Sequence, residues 1–248
     1  MINKRLLGRT KNLINRAFQI VKTHTIPSLD NTELTFSNKG MQFEATTLFI
    51  DIRNTTELLN SHDKTTIAKL YSAFFANIVL IAKQNKGSVR SFNTDRALIF
   101  FESAKSDSYN NAVKTAMEIK FVLTNEESAV KIELEKYATI DFGIGIEHGK
   151  ILCTKVGISG EDNNQNLVWI GDAVDKSSKL AHIAHSPSSI IISETVYKSL
   201  KGFNKYQGMN RTSTGKSLSI KLDMWEKKPF YTNGANQNIY VTPFSFEP

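Results

Sequence analysis

The stretch TTLFIDIRNTTELLN, Thr46 to Asn60, puts a carboxylate at the end of an apolar run. The segment leading into it, FEATTLFIDI, is rich in β-branched and aromatic residues and reads as a strand. Asp51 follows Leu48-Phe49-Ile50 directly, and Arg53-Asn54-Thr55-Thr56 then leads into a second apolar run. A carboxylate at such a position costs several kcal/mol to desolvate unless a cation or a set of donors meets it. Asp51 is therefore expected either to cap a helix or to hold a metal.

Downstream, Ile67, Leu70, Tyr71, Phe74, Phe75, Ile78, Val79 and Ala82 fall on one helical face, and Gly87 ends the unit. GSVRSFNTDRALIFFE reads as two strands around the polar turn Asn93-Thr94-Asp95. A helix is expected over about residues 108–124. EESAVKIELEKY reads as a charged surface excursion, and ATIDFGIGIEHGKILCTKVG as a second hairpin turned at Glu147 to Gly149. A strand LVWI, a helix GDAVDKSSKLAHIA, a buried strand SSIIIS and a helix SETVYKSL follow. Residues 203–248 are weakly patterned, with strand-like SLSIKLDMW and QNIYVTPF. Helices covering a mixed, mainly antiparallel sheet make this an α+β sandwich.

Upstream, MINKRLLGRTKNLINRAFQIVK is basic and has apolar residues at helical spacing. Its apolar run is broken by charges, unlike a secretory signal. It is expected to pack on the main domain or a partner chain, with membrane-surface binding as the other reading. The polar, turn-rich Ile26–Gly40 reads as a linker, so residues 1–40 form a basic amphipathic helix plus linker and the main domain covers 41–248.

The chain has 248 residues, 40% hydrophobic and 22% charged, as expected for a globular protein. No run of about 18 apolar residues exists, so no transmembrane segment is expected. Cys153 is the single cysteine, which fits a reducing, cytoplasmic setting and a small buried strand residue. The net charge of +7 suits an anionic partner. Basic and aromatic residues do not interleave, so a nucleic-acid binder is a minor reading.

Asp95, in the tight turn of the first hairpin, is the natural companion of Asp51. If that hairpin pairs with the Asp51 strand, two carboxylates converge at one sheet edge. With a backbone carbonyl they form a hard-oxygen set suited to Mg²⁺ or Mn²⁺. The alternative is a cap and a turn aspartate.

LFIDIRNTTELL, GSVRSFNTDRALIFF, DFGIGIEHGKI and VWIGDAVDKSSKLAHIA occur in that order. Together, over roughly residues 46–200, they resemble the class III nucleotidyl cyclase catalytic domain, with its ferredoxin-like fold. The shared features are a phenylalanine (Phe49) two before a metal aspartate, a second metal aspartate on a hairpin, a glycine-punctuated hairpin and a Gly-Asp helix start. The resemblance implies that Asp51 and Asp95, with the Ile52 carbonyl, hold two divalent ions, Mn²⁺ or Mg²⁺, per active site. It implies that amides from Arg53, Asn54, Thr55 and Thr56 cradle phosphates of a nucleoside triphosphate, giving a 3′,5′-cyclic nucleotide and pyrophosphate. It also implies a homodimer with sites at the interface.

Two departures bear on activity. The family's asparagine and arginine, four apart on the helix after the glycine, are Asp175 and Lys179 here. Lys179 could still meet phosphate as a compact ammonium, and an ordinary ion pair between the two is the other reading. The two purine-reading positions, lysine and aspartate or glutamate and cysteine in family members, are Ser91 and Val168 here. Without those groups purine discrimination is lost. The chain thereby resembles the Pycsar group of bacterial antiphage pyrimidine cyclases, which implies a separate cyclic-nucleotide receptor. CTP is expected slightly ahead of UTP as substrate. A purine cyclase with a rearranged pocket and a non-catalytic nucleotide-binding module are the alternatives.

Arg90, Ser91 and the segment from Phe49 to Asn54 are candidate base contacts, although Arg90 also reads as a surface cation. Lys221 is matched loosely to a family lysine that binds the terminal phosphates. STGKS, Ser213 to Ser217, only echoes a phosphate loop because Asn210 stands where a glycine is needed. His182 and His185 are expected in surface or packing roles.

Overall fold

The computed structural model describes residues 2–36, 38–103, 107–213, 216–232 and 234–248; for Asp162 and residues 209–213 and 216–220 it describes the backbone alone. In chain order the elements are α1 (Ile2–Asn15), β1 (Gln19–Lys22), β2 (Lys39–Ile52), α2 (Thr55–Ser61), α3 (Lys64–Gln84), β3 (Ser88–Asn93) and β4 (Arg96–Glu102). Then come α4 (Ser108–Thr124), α5 (Ala129–Glu135), β5 (Phe142–Gly157), β6 (Gln165–Ile170), α6 (Asp172–Ile183), β7 (Ile190–Ser193) and α7 (Glu194–Ser199). The chain closes with β8 (Tyr206–Ser213), β9 (Lys216–Asp223), β10 (Glu226–Thr232) and β11 (Ala235–Thr242).

The main sheet runs β10-β11-β7-β5-β2-β4-β3, with β1 beside β2 and β6 beside β5. Among the described residues only β1·β2 and β5·β7 are parallel, so the sheet is mixed and mainly antiparallel. Its centre, β5-β2-β4-β3, has the fourth-first-third-second order of a βαββαβ unit, the ferredoxin-like arrangement. One face of β2, with Leu48, Ile50 and Ile52, packs under α3 and α4 through Leu70, Phe74, Ile78, Ala112 and Ala116. The α3 stripe is thus the expected one. Its start is set by Asp63, whose Oδ1 accepts from the amides of Thr65 (2.8 Å) and Thr66 (3.0 Å). By length and composition α3 could cross a membrane, but its apolar stripe lies in this core. The opposite face of the sheet carries Phe43, Ala45, Phe49 and Asp51, covered in part by Trp169 and α6.

Three expectations are corrected. Ile26–Gly40 is not a free linker: Ile26 and Leu34 are buried in the cluster with Phe43 and Ile151, and β1 joins the sheet. Two apolar anchors in a turn-rich stretch were masked by its polar composition. Glu147 to Gly149 is not a turn, because β5 runs unbroken and its hairpin closes beyond Gly157 onto β6. The glycine signal is overridden because Gly149 pairs with Ala45 inside the ladder and Glu147 is buried against Ser193 and Lys176. The charged excursion contains α5, whose Leu134 joins the core. Cys153 is buried as expected, and burial pushes its thiol up to about 12, which makes it inert.

Lys120 on α4 is only 5% exposed, and its Nζ donates to the carbonyls of Pro187 (2.5 Å) and Pro243 (2.6 Å). Burial lowers this amine from 10.5 to about 8. The folded state therefore binds fewer protons than the unfolded one between those values, and this group adds stability as pH rises through that window. Lys120→Met leaves both carbonyls without their donor and should cost about 1–3 kcal/mol at pH 7 in urea denaturation. The deficit relative to the native chain should widen toward pH 10, and a deficit that narrows would contradict the assignment.

Candidate active site

The site begins with the alternation of β2. Residues opposite one another share a face, so Asp51, Arg96 on β4 and Gly143 on β5 stand together, and Phe49, Leu98 and Gly145 form the next row. The glycines decide what lies above them. A Cβ on Gly145 would sit 2.0 Å from the Ser177 carbonyl oxygen, and one on Gly143 would sit 2.1 Å from that of Ala181. α6 therefore rests directly on β5, and that close approach brings its last turns over Asp51.

Asp51 is 5% exposed. Its Oδ1 accepts from Arg96 Nε at 3.1 Å, and the same nitrogen lies 3.5 Å from Asp95 Oδ1. His182 Nδ1 on α6 is 3.7 Å from Asp51 Oδ2. The Ile52 amide donates to the Asp95 carbonyl at 2.7 Å, which ties the Thr94-Asp95 turn to the end of β2. The two carboxylates expected to converge do converge, on the guanidinium of Arg96. That cation explains how a buried carboxylate is tolerated at the end of an apolar strand. Composition does not reveal it: Arg96 is adjacent to Asp95 in the sequence, and its register opposite Asp51 is the signal available.

Asp51, Arg96, Ser178, Lys179, His182 and Phe230 line a cleft of about 320 Å³. Lys179 also borders a larger cleft of about 520 Å³ with Asp172, Asp175, Lys176 and Glu147. Lys179 and Asp175 form the i,i+4 ion pair at 2.7 Å. Lys176 is committed to buried Glu147, also at 2.7 Å. Lys179 thus offsets the Asp175 carboxylate at the same time as it borders the Asp51 cleft.

Other candidates lie elsewhere or are otherwise engaged. The Arg53 guanidinium caps the C-terminal end of α6, donating to Ala181 O (3.0 Å) and His182 O (2.9 Å), and its amide donates to Asp141 O (2.8 Å). Arg53 is therefore a strut under α6 and not a phosphate amide. Arg90 sits at a bulge between Val89 and Ser91, and its Nε donates to Pro27 O at 3.1 Å. The bulge re-aims it toward the N-terminal segment and away from a base. Phe49 packs against the core cluster below the site. Ser91 is half-buried on the Asp51 side of the sheet, opposite Leu98. Val168 is exposed on β6, on the side opposite Trp169. Lys221 is exposed on the separate β8–β9 ribbon, opposite Gly208, with no described contact to the Asp51 cleft. Two positions of Ser213–Ser217, residues 214 and 215, lie outside the described residues. Asn54, with φ of 55°, makes the left-handed step into α2. The amides of Thr55 and Thr56 in its first turn lack intrahelical acceptors, as first-turn groups do.

The donor set fits a hard cation. Among the described residues no group of three His, Cys, Asp or Glu side chains could hold a metal. Asp51 and Asp95 would need main-chain and substrate oxygens to complete a shell, the arrangement typical of Mg²⁺ bound with phosphates.

Residues 39–224 match the family model described as the adenylate and guanylate cyclase catalytic domain. A uridylate cyclase of Treponema porcinum is 30% identical over 202 residues, covering 79% of this chain and 68% of that protein. One of Xanthomonas perforans is 26% identical over 234 residues, covering 92% and 91%. The structure of the guanylyl cyclase Cya2 superimposes with a TM-score of 0.64 at 17% identity, covering 84% of this chain and 96% of that one. The guanylate cyclase domain of RhGC from Catenaria anguillulae, in complex with GTP, gives 0.58 at 17% identity, covering 81% and 97%. With the family model spanning most of the chain and a ferredoxin-like sheet beneath converging Asp51 and Asp95, this chain belongs to the class III nucleotidyl cyclases, the adenylate and guanylate cyclase catalytic-domain family.

Proposed function

We propose that this chain cyclises a pyrimidine nucleoside triphosphate, UTP first and CTP second, to the 3′,5′-cyclic monophosphate and pyrophosphate. The observation that carries the reading is the convergence of Asp51 and Asp95 on one guanidinium nitrogen, at 3.1 and 3.5 Å, inside a cyclase fold. The base choice rests on the absence of purine-reading groups at Ser91 and Val168, and on relatives named uridylate cyclase. Those names move the expected order of substrates from CTP to UTP.

In this reading Asp51, Asp95 and the Ile52 carbonyl hold Mn²⁺ or Mg²⁺, two ions per site. Bound there, the ions neutralise triphosphate charge and make the ribose 3′-hydroxyl more acidic. The 3′-oxygen attacks the α-phosphorus, pyrophosphate leaves and one proton is released. Lys179 and Arg96 supply cations at the rim of the cleft, and Thr55 and Thr56 offer amides at the start of α2. Asp175 holds the Lys179 ammonium in place. Arg53 keeps α6 seated and Phe49 stiffens the strand beneath. A homodimer completes each site, and the product acts through a separate receptor, as an antiphage signal.

The test is to incubate the purified protein with each of the four triphosphates and Mn²⁺ and to separate the products. Cyclic UMP as the main product supports the reading; predominant cyclic AMP or cyclic GMP would overturn the base assignment. Mixing Asp51→Asn with Lys179→Ala protein tests the shared site. No recovery is expected from Asp51 and Lys179 lining one cleft of the same protomer, and recovered activity would mean that Lys179 acts across the dimer instead.

A further inference from the structure

α1 has an apolar face that its own domain leaves bare. Every residue of the helix is exposed, with Leu6 at 55% and Ile14 at 75%. It is nevertheless held in place through polar contacts. Asn38 Nδ2 donates to Leu13 O (2.6 Å) and Arg16 O (2.9 Å) at the C-terminal end of α1, and Arg9 donates to Gly157 O (3.2 Å) at the end of β5. The apolar face is therefore not a loose end awaiting its own core. Val156 and Ile158, on either side of the Gly157 that Arg9 bonds, are exposed as well.

The arrangement of charge around the helix identifies what covers it. At about 100° per residue, Ile2, Leu13, Leu6, Ile14 and Leu7 lie within an arc of roughly 140°, which also holds Asn3 and Thr10, the latter with its hydroxyl turned back to the Leu6 carbonyl at 2.9 Å. Lys4 and Lys11 lie along one edge of that arc, Arg5 and Arg9 along the other, and Gly8, Asn12 and Asn15 fill the far side. No Asp or Glu occurs before Asp30. Cations flanking an apolar stripe on both sides allow the stems to lie over hydrocarbon while the heads reach phosphate level. A second copy of α1 is a poor occupant, because cations would face cations with no carboxylate on the helix to pair them. We propose that α1 docks the chain on an anionic lipid bilayer, lying in the interface with Leu6, Leu13 and Ile14 inserted.

This inference stands apart from the choice of nucleotide. Its test uses the full chain in flotation with phosphatidylcholine vesicles, with and without about 30 mol% of an anionic phospholipid. Binding to the anionic vesicles and not to the neutral ones is expected, weakening as salt rises. Replacing Lys4, Arg5 and Lys11 by glutamine should weaken binding roughly 100-fold, on the scale of the attraction per basic side chain near such a surface. Leu6→Asn with Leu13→Asn should weaken it at least about tenfold, the minimum expected when buried apolar area is withdrawn. Both variants should keep the native circular dichroism of the domain and its nucleotide turnover. Equal binding to neutral vesicles, or no binding to either kind, would overturn the proposal. So would a leucine variant that splits an oligomer in sedimentation while the native chain ignores vesicles, since α1 would then cover a second copy.

Discussion

Asp51→Asn should lower kcat/KM for UTP with Mn²⁺ by at least about 10³-fold, a loss of several kcal/mol in transition-state stabilisation. Asparagine is nearly isosteric and can still accept a hydrogen bond from Arg96, so the end of β2 should hold its shape. What disappears is the charge. Asp51 is 5% exposed, which places its carboxylate where water cannot substitute for it. Asp95 alone, 28% exposed at its side chain, would then have to hold the cations. The stability of the variant should change little, because the Arg96 partner is 44% exposed and already shared with Asp95. The measurement is steady-state cyclic UMP formation alongside a urea melt. Unimpaired turnover in a folded variant would remove Asp51 from the chemistry.

Gly145→Ala should cost about 3 kcal/mol of stability, the upper range for overpacking. The added Cβ would lie 2.0 Å from the Ser177 carbonyl oxygen and 2.4 Å from the Ala181 amide nitrogen. Both are backbone atoms of α6, so no side-chain rotation relieves the overlap and the helix has to lift. Lys179, Asp175 and His182 ride on that helix, so activity should fall further than the fraction unfolded explains. Gly149→Ala is the control on the same strand. Its Cβ would meet the Ala173 Cβ at 3.4 Å, ordinary contact, and the urea midpoint should barely move. Equal effects from both substitutions would mean that glycine's backbone freedom, and not the seat of α6, is what β5 requires.

The parts of the fold that announce themselves locally were legible in the sequence. The stripe Leu70-Phe74-Ile78 and the alternation of β2 each carry their own period, and Asn93 to Asp95 is a short polar turn between apolar runs. If those strands pair, Asp51 and Asp95 meet at one sheet edge, and the register bears the pairing out. What was not legible depends on partners distant in sequence. Glu147-His148-Gly149 has turn composition, yet it is strand because Ala45, Ser193 and Lys176 close on it from three other elements. In sequence Arg53 offers an amide to phosphate and Arg90 a contact to the base, yet both guanidinium groups are spent on carbonyls in space. Arg96 went unread for the opposite reason: only the antiparallel register shows that it stands across from Asp51.

In the proposed function Asp51 and Asp95 jointly hold divalent cations beside a bound triphosphate. The most direct measurement is Mn²⁺ binding, followed by electron paramagnetic resonance, to the native chain in the presence of a non-cyclisable UTP analogue. Tight Mn²⁺ uptake that depends on the analogue, and that is lost in Asp51→Asn and in Asp95→Asn alike, is the predicted result. Uptake unchanged in either variant, or no uptake by the native chain with the analogue bound, would contradict it.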